Sequence, residues 1–498
     1  MQSTDSLQNW IARLDRRVYA ILIGLAIGII GGGIGLLIAA FDPLLAFGAV
    51  FGVLIALYVL TNVSAALYAT VAMMAFLPFG TVPFKIAFTP SLLDGAMGAF
   101  LLVYLFQWMT GKRQLSQTSF EFRLTPVYAP LLLYIGWLIF SFALGLRYAP
   151  PTAQILREFM EALLSIGMVF ILVDLLRDPA SFKRLLFIIA AAATVEALVG
   201  IILYVIPDAL AERTLVRLAR IGYPNGGVIR YINDDPAEAE RAIGTWVDPN
   251  AFGGFLVVTA AMIAPQVFAW RPVVRWRIVA WGMLGLVSLA LLLTYSRASM
   301  LALGFTILFV GLFRGNRKFI ALVLLALIGI LILPQTRDYV VRFVEAFTAS
   351  DLSTQMRLGE YGDALRLIRE YPVTGVGFTG TPSIDLYTNA ASMYLIMANQ
   401  IGLVGVGIFA ATMLSVFGYG LRAWRRIGDN PELRPLLLGF HAALLAALIN
   451  GAADLYFFRL DFHASITLFW LAVALSLASS RMALDAHIIE ASEQEVSG

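Results

Sequence analysis

The side chains in this chain that could do chemistry are a few arginines and carboxylates set among apolar runs. Arg297 lies in Thr294-Tyr-Ser-Arg-Ala-Ser299, a polar break between two such runs. A guanidinium is always charged and offers a rigid fork of donors that suits phosphate oxygens. The plainer reading is a helix-end arginine whose stem snorkels to the interface. Thr294, Ser296 and Ser299 around it favour the binding reading. Arg241 opens Arg-Ala-Ile-Gly-Thr-Trp-Val-Asp-Pro-Asn250, and Asp248-Pro-Asn250 reads as a cap at the start of an apolar helix. Arg241, Thr245 and Trp246 could line a site at the mouth of that helix. Arg157 and Glu161, four apart, read better as an ion pair on one helix face than as a site. Asp454, Arg459, Asp461 and His463 fill one short segment. His463 could be a general base, but it reads better as an ordinary interfacial histidine.

The elements that must hold these groups are membrane helices. The 498 residues are 60% hydrophobic and 13% charged, with mean hydropathy +0.83. A soluble domain is about 45–50% apolar and about 25% charged, so this chain needs lipid as its solvent. Apolar runs predict spans near 18–40, 44–60, 62–78, 91–109, 126–146, 155–176, 182–206, 250–270, 276–295, 298–313, 318–334, 393–421, 435–450 and 464–480. The expected fold class is all-α, a polytopic bundle of about 12–14 transmembrane helices with a partly helical lid loop. The run 393–421 is too long for one simple span, and 91–109 could be re-entrant. The N-terminal basic stretch leads straight into an apolar run with no clear cleavage site, which reads as a retained first span.

Basic residues recur in alternate short loops, at Arg13, Lys112, Arg177, Arg271, Arg314, Arg425 and Arg481. By the positive-inside rule both termini are cytoplasmic. The expected organisation is a cytoplasmic segment 1–17, a transmembrane bundle 18–206, a first periplasmic loop 207–249, central helices 250–334, a large periplasmic loop 335–392, C-terminal helices 393–480 and a cytoplasmic tail 481–498. Both outer loops hold arginines against the topological bias, among them Arg230, Arg241, Arg357 and Arg366. That suggests use there, or ion pairs with acids such as Asp234 and Glu238. Ser353 to Tyr371 reads as an amphipathic helix carried by Met356, Tyr361, Ala364, Leu365 and Ile368 and stopped by Pro372. The absence of cysteine excludes thiol and iron–sulfur chemistry, and three histidines are too few for a multi-histidine metal site. No phosphate-binding loop or dinucleotide fingerprint is present, and no convincing repeat marks a transporter.

Three motifs together resemble the O-antigen ligase and polymerase superfamily. They are Arg241 to Asn250, Thr294 to Ser299, and Arg357-Leu-Gly-Glu-Tyr-Gly-Asp-Ala-Leu365 running through Pro372-Val-Thr-Gly-Val-Gly377 to Tyr394-Leu-Ile-Met-Ala-Asn-Gln-Ile-Gly-Leu403. The resemblance covers roughly 190–480. It implies a bacterial inner-membrane glycosyltransferase that takes a glycan from an undecaprenyl-pyrophosphate donor at the periplasmic face and passes it to a glycan or lipid acceptor. It implies no metal and no cofactor. Arg241 and Arg297 match the family's pyrophosphate-binding arginines. Arg357, Tyr361, Tyr394, Ser296, Trp246 and Asn250 are the expected substrate-binding residues. The ligases carry a histidine where this chain has Ala391, so the acceptor's proton needs another base. Asp385 is the first choice, with Tyr387, His463, Glu360 and Asp363 behind it. Membrane lipid and envelope polysaccharide assembly proteins are expected partners, and nucleic acid is not. A bicarbonate-like transporter and a non-catalytic relative in envelope assembly are the alternatives.

Overall fold

The computed structural model describes residues 57–82, 89–110, 125–314, 352–380 and 390–497. The chain divides into two compact units, Met1–Ala66 and Leu67–Gly498. Of the first, the described residues end in a helix start, where Asn62 Oδ1 accepts from the backbone of Ser64 and Ala65.

The helices are α1 (Val63–Phe76), α2 (Leu92–Thr110), α3 (Tyr128–Gly145), α4 (Ala153–Leu175), α5 (Pro179–Val205) and α6 (Asp208–Val216), then α7 (Pro249–Ile263), α8 (Arg277–Leu293), α9 (Arg297–Arg314), α10 (Leu352–Glu370), α11 (Met393–Arg426), α12 (Leu433–Asn450) and α13 (His463–Ser497). One antiparallel ladder of two-residue strands, β1 (Arg230–Tyr231) and β2 (Glu240–Arg241), lies between α6 and α7. Among the described residues eight helices are long and apolar enough to cross a membrane. The protein is an all-α polytopic bundle. The expected spans 18–40 and 318–334, and most of 44–60, lie outside the described residues.

Local chemistry sets the helix starts. Ser91 and Asp94 cap α2 reciprocally, each side chain accepting the other's backbone N–H at 2.7 and 2.9 Å. Thr152 caps α4, Asp178 caps α5, and Asp248 Oδ1 caps α7 by accepting from Asn250 and Ala251. Helices α7, α12 and α13 are largely buried, whereas most residues of α2, α3 and α9 are only partly buried or exposed. All six are apolar, so hydropathy alone cannot tell a central helix from a lipid-facing one.

Two features shape the site end. Helix α11 is interrupted at Gly402, with φ 68° and ψ 176°. The segment after α10 docks into the break. Val376 and Gly377 donate their backbone N–H to the carbonyls of Asn399 and Gln400, and Leu403 donates to Pro372. Ser141 Oγ and Trp137 Nε1 cover the carbonyls of Gln400 and Ile401. The carbonyls freed by the break are thereby paired, which irregular backbone inside a membrane protein requires. The unusual length of 393–421 reflects this break.

Helix α10 forms where the sequence predicts it and keeps part of the predicted face. Ala364 is buried and Tyr361 and Ile368 are half-buried, while Met356 and Leu365 are 61% and 48% exposed and Leu367 is buried in addition. Polar anchors hold the helix there. Arg357 donates to the Ala453 carbonyl, Tyr361 Oη donates to the Ala391 carbonyl, and Glu360 accepts from the Ala391 N–H.

Candidate active site

The starts of α7, α9 and α11, the end of α12 and the segment 451–462 meet at one end of the bundle. Arg241 is the hub. Its Nε donates to the Thr294 carbonyl at 2.9 Å and an Nη to Asn250 Oδ1 at 2.7 Å. The two outer motifs seen in the sequence are therefore joined by one guanidinium. Both of its hydrogen bonds go to neutral oxygens, so among the described residues no carboxylate neutralises it by direct contact. Burial pulls its pKa down, opposed by the charges of Asp248 and Asp454.

Thr294 stands just before the turn that starts α9. Tyr295 holds φ 52°, and Ser296 Oγ lies 2.9 Å from Ser299 Oγ. Arg297 is the first residue of α9 and is half-buried. Helix α7 crosses here at Gly253, where a Cβ would sit 2.6 Å from Ser299 Oγ. Asn450 Nδ2, at the end of α12, donates to Ser299 Oγ at 3.4 Å.

Asp454 lies beyond α12. It is 2% exposed, and its Oδ2 has no hydrogen-bond partner among the described residues. Its backbone carbonyl accepts from Met393 N at the start of α11. Desolvation pushes the Asp454 carboxyl up to about 7 and Asp248 adds to the rise, against the pull of Arg357 and Arg241. A carboxyl that titrates near neutrality, with one oxygen uncommitted beside two guanidinium groups, can take a proton from a bound hydroxyl. The sequence marks Asp454 only as one polar residue in a short loop. Nothing local to that loop reveals the burial or the two arginines brought from elsewhere.

The other expected residues divide by place. Arg357 and Tyr361 reach the cluster from α10, and Asn250 and Ser296 are within it. Tyr394 Oη donates to the Leu448 carbonyl at 2.8 Å. Trp246 is 1% exposed, stacks on Phe255 at 4.8 Å, and donates Nε1 to the Ala75 carbonyl. It anchors the turn from inside. Beneath the same turn, Glu196 accepts both the N–H and the hydroxyl of Thr245. Asp385 and Tyr387 lie outside the described residues. Ala391, where the ligases carry histidine, offers only backbone, and Glu360 occupies its N–H.

A second polar cluster joins the starts of α2, α4 and α13. His463 Nδ1 lies 3.3 Å from Asp94 Oδ1 and 3.5 Å from Glu161 Oε2, and Arg157 Nε lies 3.1 Å from Glu161 Oε1. The ion pair read from the sequence is present, and His463 packs against Glu161 and Asp94 beside it. Among the described residues, Asp94, Glu161 and His463 are the group whose donor atoms could hold a cation.

Fold and site define a polytopic helical membrane protein with a cationic, carboxylate-bearing site at one end. Residues 282–410 match the family model described as O-antigen ligase. The match covers about a quarter of the chain and supports the O-antigen ligase and polymerase superfamily for it. With the eight apolar helices it points to a multi-pass bacterial membrane protein, and it supports membrane glycan transfer with a lipid-linked glycan as substrate. The matched segment holds Ser296, Arg297, Arg357, Tyr361 and Tyr394. Arg241 and Asp454 fall outside it and reach the site through the fold. No curated protein matches the chain.

Proposed function

We propose that this protein transfers or polymerises a glycan carried on undecaprenyl pyrophosphate at the periplasmic face of the bacterial inner membrane, without a metal or cofactor. Polymerisation onto a second glycan stands slightly ahead of ligation to a lipid acceptor. The acceptor hydroxyl attacks the anomeric carbon from the side opposite the pyrophosphate. The new C–O bond forms as the bond to the pyrophosphate breaks, the electron pair leaves on phosphate oxygen, and the anomeric centre inverts. The hydroxyl proton passes to the Asp454 carboxylate. Arg241 and Arg297 stabilise the charge gathering on the leaving group, a contribution of about 3–4 kcal/mol for one well-placed donor. The starts of α7, α9 and α11 add the positive ends of three helix dipoles.

The observation that carries this reading is Arg241 itself, a half-buried guanidinium oriented by two neutral acceptors, its charge left for an anion. Polymer synthesis in cells lacking the natural gene tests it. Arg241→Ala and Arg297→Ala chains, present in the membrane at normal levels, should make no long polymer. Full synthesis by both would overturn the proposal.

A further inference from the structure

A cleft of about 520 Å³ opens beside the arginine cluster. That volume lies in the range of small-ligand sites, about 300–1,000 Å³. Its walls carry four aromatic rings in a continuous chain. Tyr223 meets Phe79 edge-on at 6.2 Å, Phe79 meets Phe462 at 5.4 Å, and Phe462 meets Tyr456 at 4.4 Å. Arg230, Arg459, Asp248 and Asp461 line it as well. Arg459 is paired with Asp461 at 2.7 Å. Arg230 Nε is buried with no hydrogen-bond partner among the described residues.

These groups select a class of ligand. Two cations and two anions leave the cleft without net charge, so it gives neither a phosphate nor a metal ion an advantage. Charged walls do not suit a lipid tail. A sugar ring suits both halves. Its C–H face is apolar with slightly positive hydrogens, which match the negative face of an aromatic ring. Its hydroxyls donate and accept in the plane, matching Asp248 and Arg230.

The position matters too. Arg230 is paired with Arg241 across the β1–β2 ladder, and directly opposed residues share one face of a ladder. Asp248 lines the cleft, caps α7 and bonds Tyr456. Val247 beside it holds φ 61°, a strained position for a β-branched residue, of the kind that persists where surroundings enforce it.

We infer that this cleft is a glycan subsite that holds sugar residues of the lipid-linked substrate while the neighbouring arginines hold its pyrophosphate. The inference rests on the donor proposed above. The test uses the full chain in nanodiscs and three probes. They are undecaprenyl pyrophosphate, the undecaprenyl-pyrophosphate oligosaccharides extracted from the membranes of the native cell, and the free oligosaccharide released from those lipids. The variants are Arg230→Gln and Phe462→Ala, each checked for an unchanged melting temperature. If Phe462→Ala melts early, Arg230→Gln carries the test. The variants should weaken the glycan-bearing lipid about tenfold and leave the bare lipid within about twofold. The free oligosaccharide should bind the wild-type chain and not the variants. If it binds while neither lipid does, the donor reading falls and the cleft stands. No binding of free oligosaccharide to the wild type, or equal weakening of both lipids, overturns the cleft.

Discussion

Arg157 and Arg241 are both half-buried arginines near helix starts, and they are held in opposite ways. Arg157 contacts the carboxylate of Glu161, whose other oxygen faces His463, itself beside Asp94. Its charge is met inside the fold. Among the described residues Arg241 donates to a carbonyl and a side-chain amide oxygen, and Asp454 stands near it without a direct bond. In the first cluster the arginine meets a carboxylate, in a seam that joins three helices. The second is oriented but electrically open. A buried cation matched by carboxylates is structural until shown otherwise. One held by neutral acceptors is prepared for an anion that comes and goes.

The largest effect is expected at Asp454. Asp454→Asn should lower transfer about 10²–10⁴-fold, the range for loss of a positioned acid or base. In the wild type, transfer should rise with pH through about 7, where the Asp454 carboxyl loses its proton; the variant should lack that limb. Stability should run the other way. The folded pKa is raised from the ordinary 3.8 to about 7. The folded state thus holds this proton more tightly than the unfolded chain. That contribution is complete below the ordinary pKa and is lost as pH rises to about 7. Melting temperature against pH, wild type beside variant, reads it. A pH–rate profile unchanged by Asp454→Asn would remove Asp454 as the base.

Next comes the pair of arginines. Arg241→Ala should cost about 10²–10³-fold in transfer, like loss of one oxyanion donor, with most of the chain still folded. Arg157→Ala should do the reverse, lowering the melting temperature while each folded molecule keeps its rate. Transfer per folded molecule in nanodiscs separates the two. Equal rate losses would erase the distinction between open and closed clusters.

A smaller effect is expected where the fold supports the open cluster alone. At Gly402 a Cβ would lie 2.2 Å from the Val373 carbonyl oxygen, and φ there is 68°. Gly402→Ala should destabilise by about 2–4 kcal/mol and displace the segment that follows α10. Trypsin cleavage at Arg366 or Arg369 should quicken, since these exposed residues ride on that helix.

The parts of this molecule that were legible in the sequence are those set locally. Apolar runs mark the helices, and the cap at Asp248 marks one of their starts. The overlong run 393–421 announces the break at Gly402. Arg241 and Arg297 stand out because charge is costly beside apolar spans. The rest is set by distant partners. Trp246 sits in a motif full of site residues, yet its ring completes the packing under the turn. The pattern of α10 finds Ala364 but not the contacts of Arg357, Tyr361 and Glu360 with Ala453 and Ala391, which lie far off in the sequence. Asp454 and His463 lie in one polar segment, where only the histidine stands out as a candidate. Burial beside Arg241 and Arg357 separates the first, and contact with Asp94 and Glu161 separates the second.

The smallest effect belongs to the closed cluster. His463 lies within 3.5 Å of both carboxylates, but its ring nitrogens and Asp94 Oδ1 have no hydrogen-bond partner among the described residues. His463→Gln therefore removes close contacts and not hydrogen bonds, and the melting temperature should fall only slightly. Transfer per folded molecule should stay within about twofold, because the histidine is bound into the seam of α2, α4 and α13 and is not among the groups around Arg241. Chelation by EDTA sharpens the same point. The donor atoms of Asp94, Glu161 and His463 could accept a cation, and a cation held there would stabilise the seam. EDTA should then lower the melting temperature of the wild type and not of His463→Gln, with transfer unchanged in both. A transfer rate that falls with EDTA in the wild type alone would bring the closed cluster into the chemistry and end the contrast between Arg157 and Arg241.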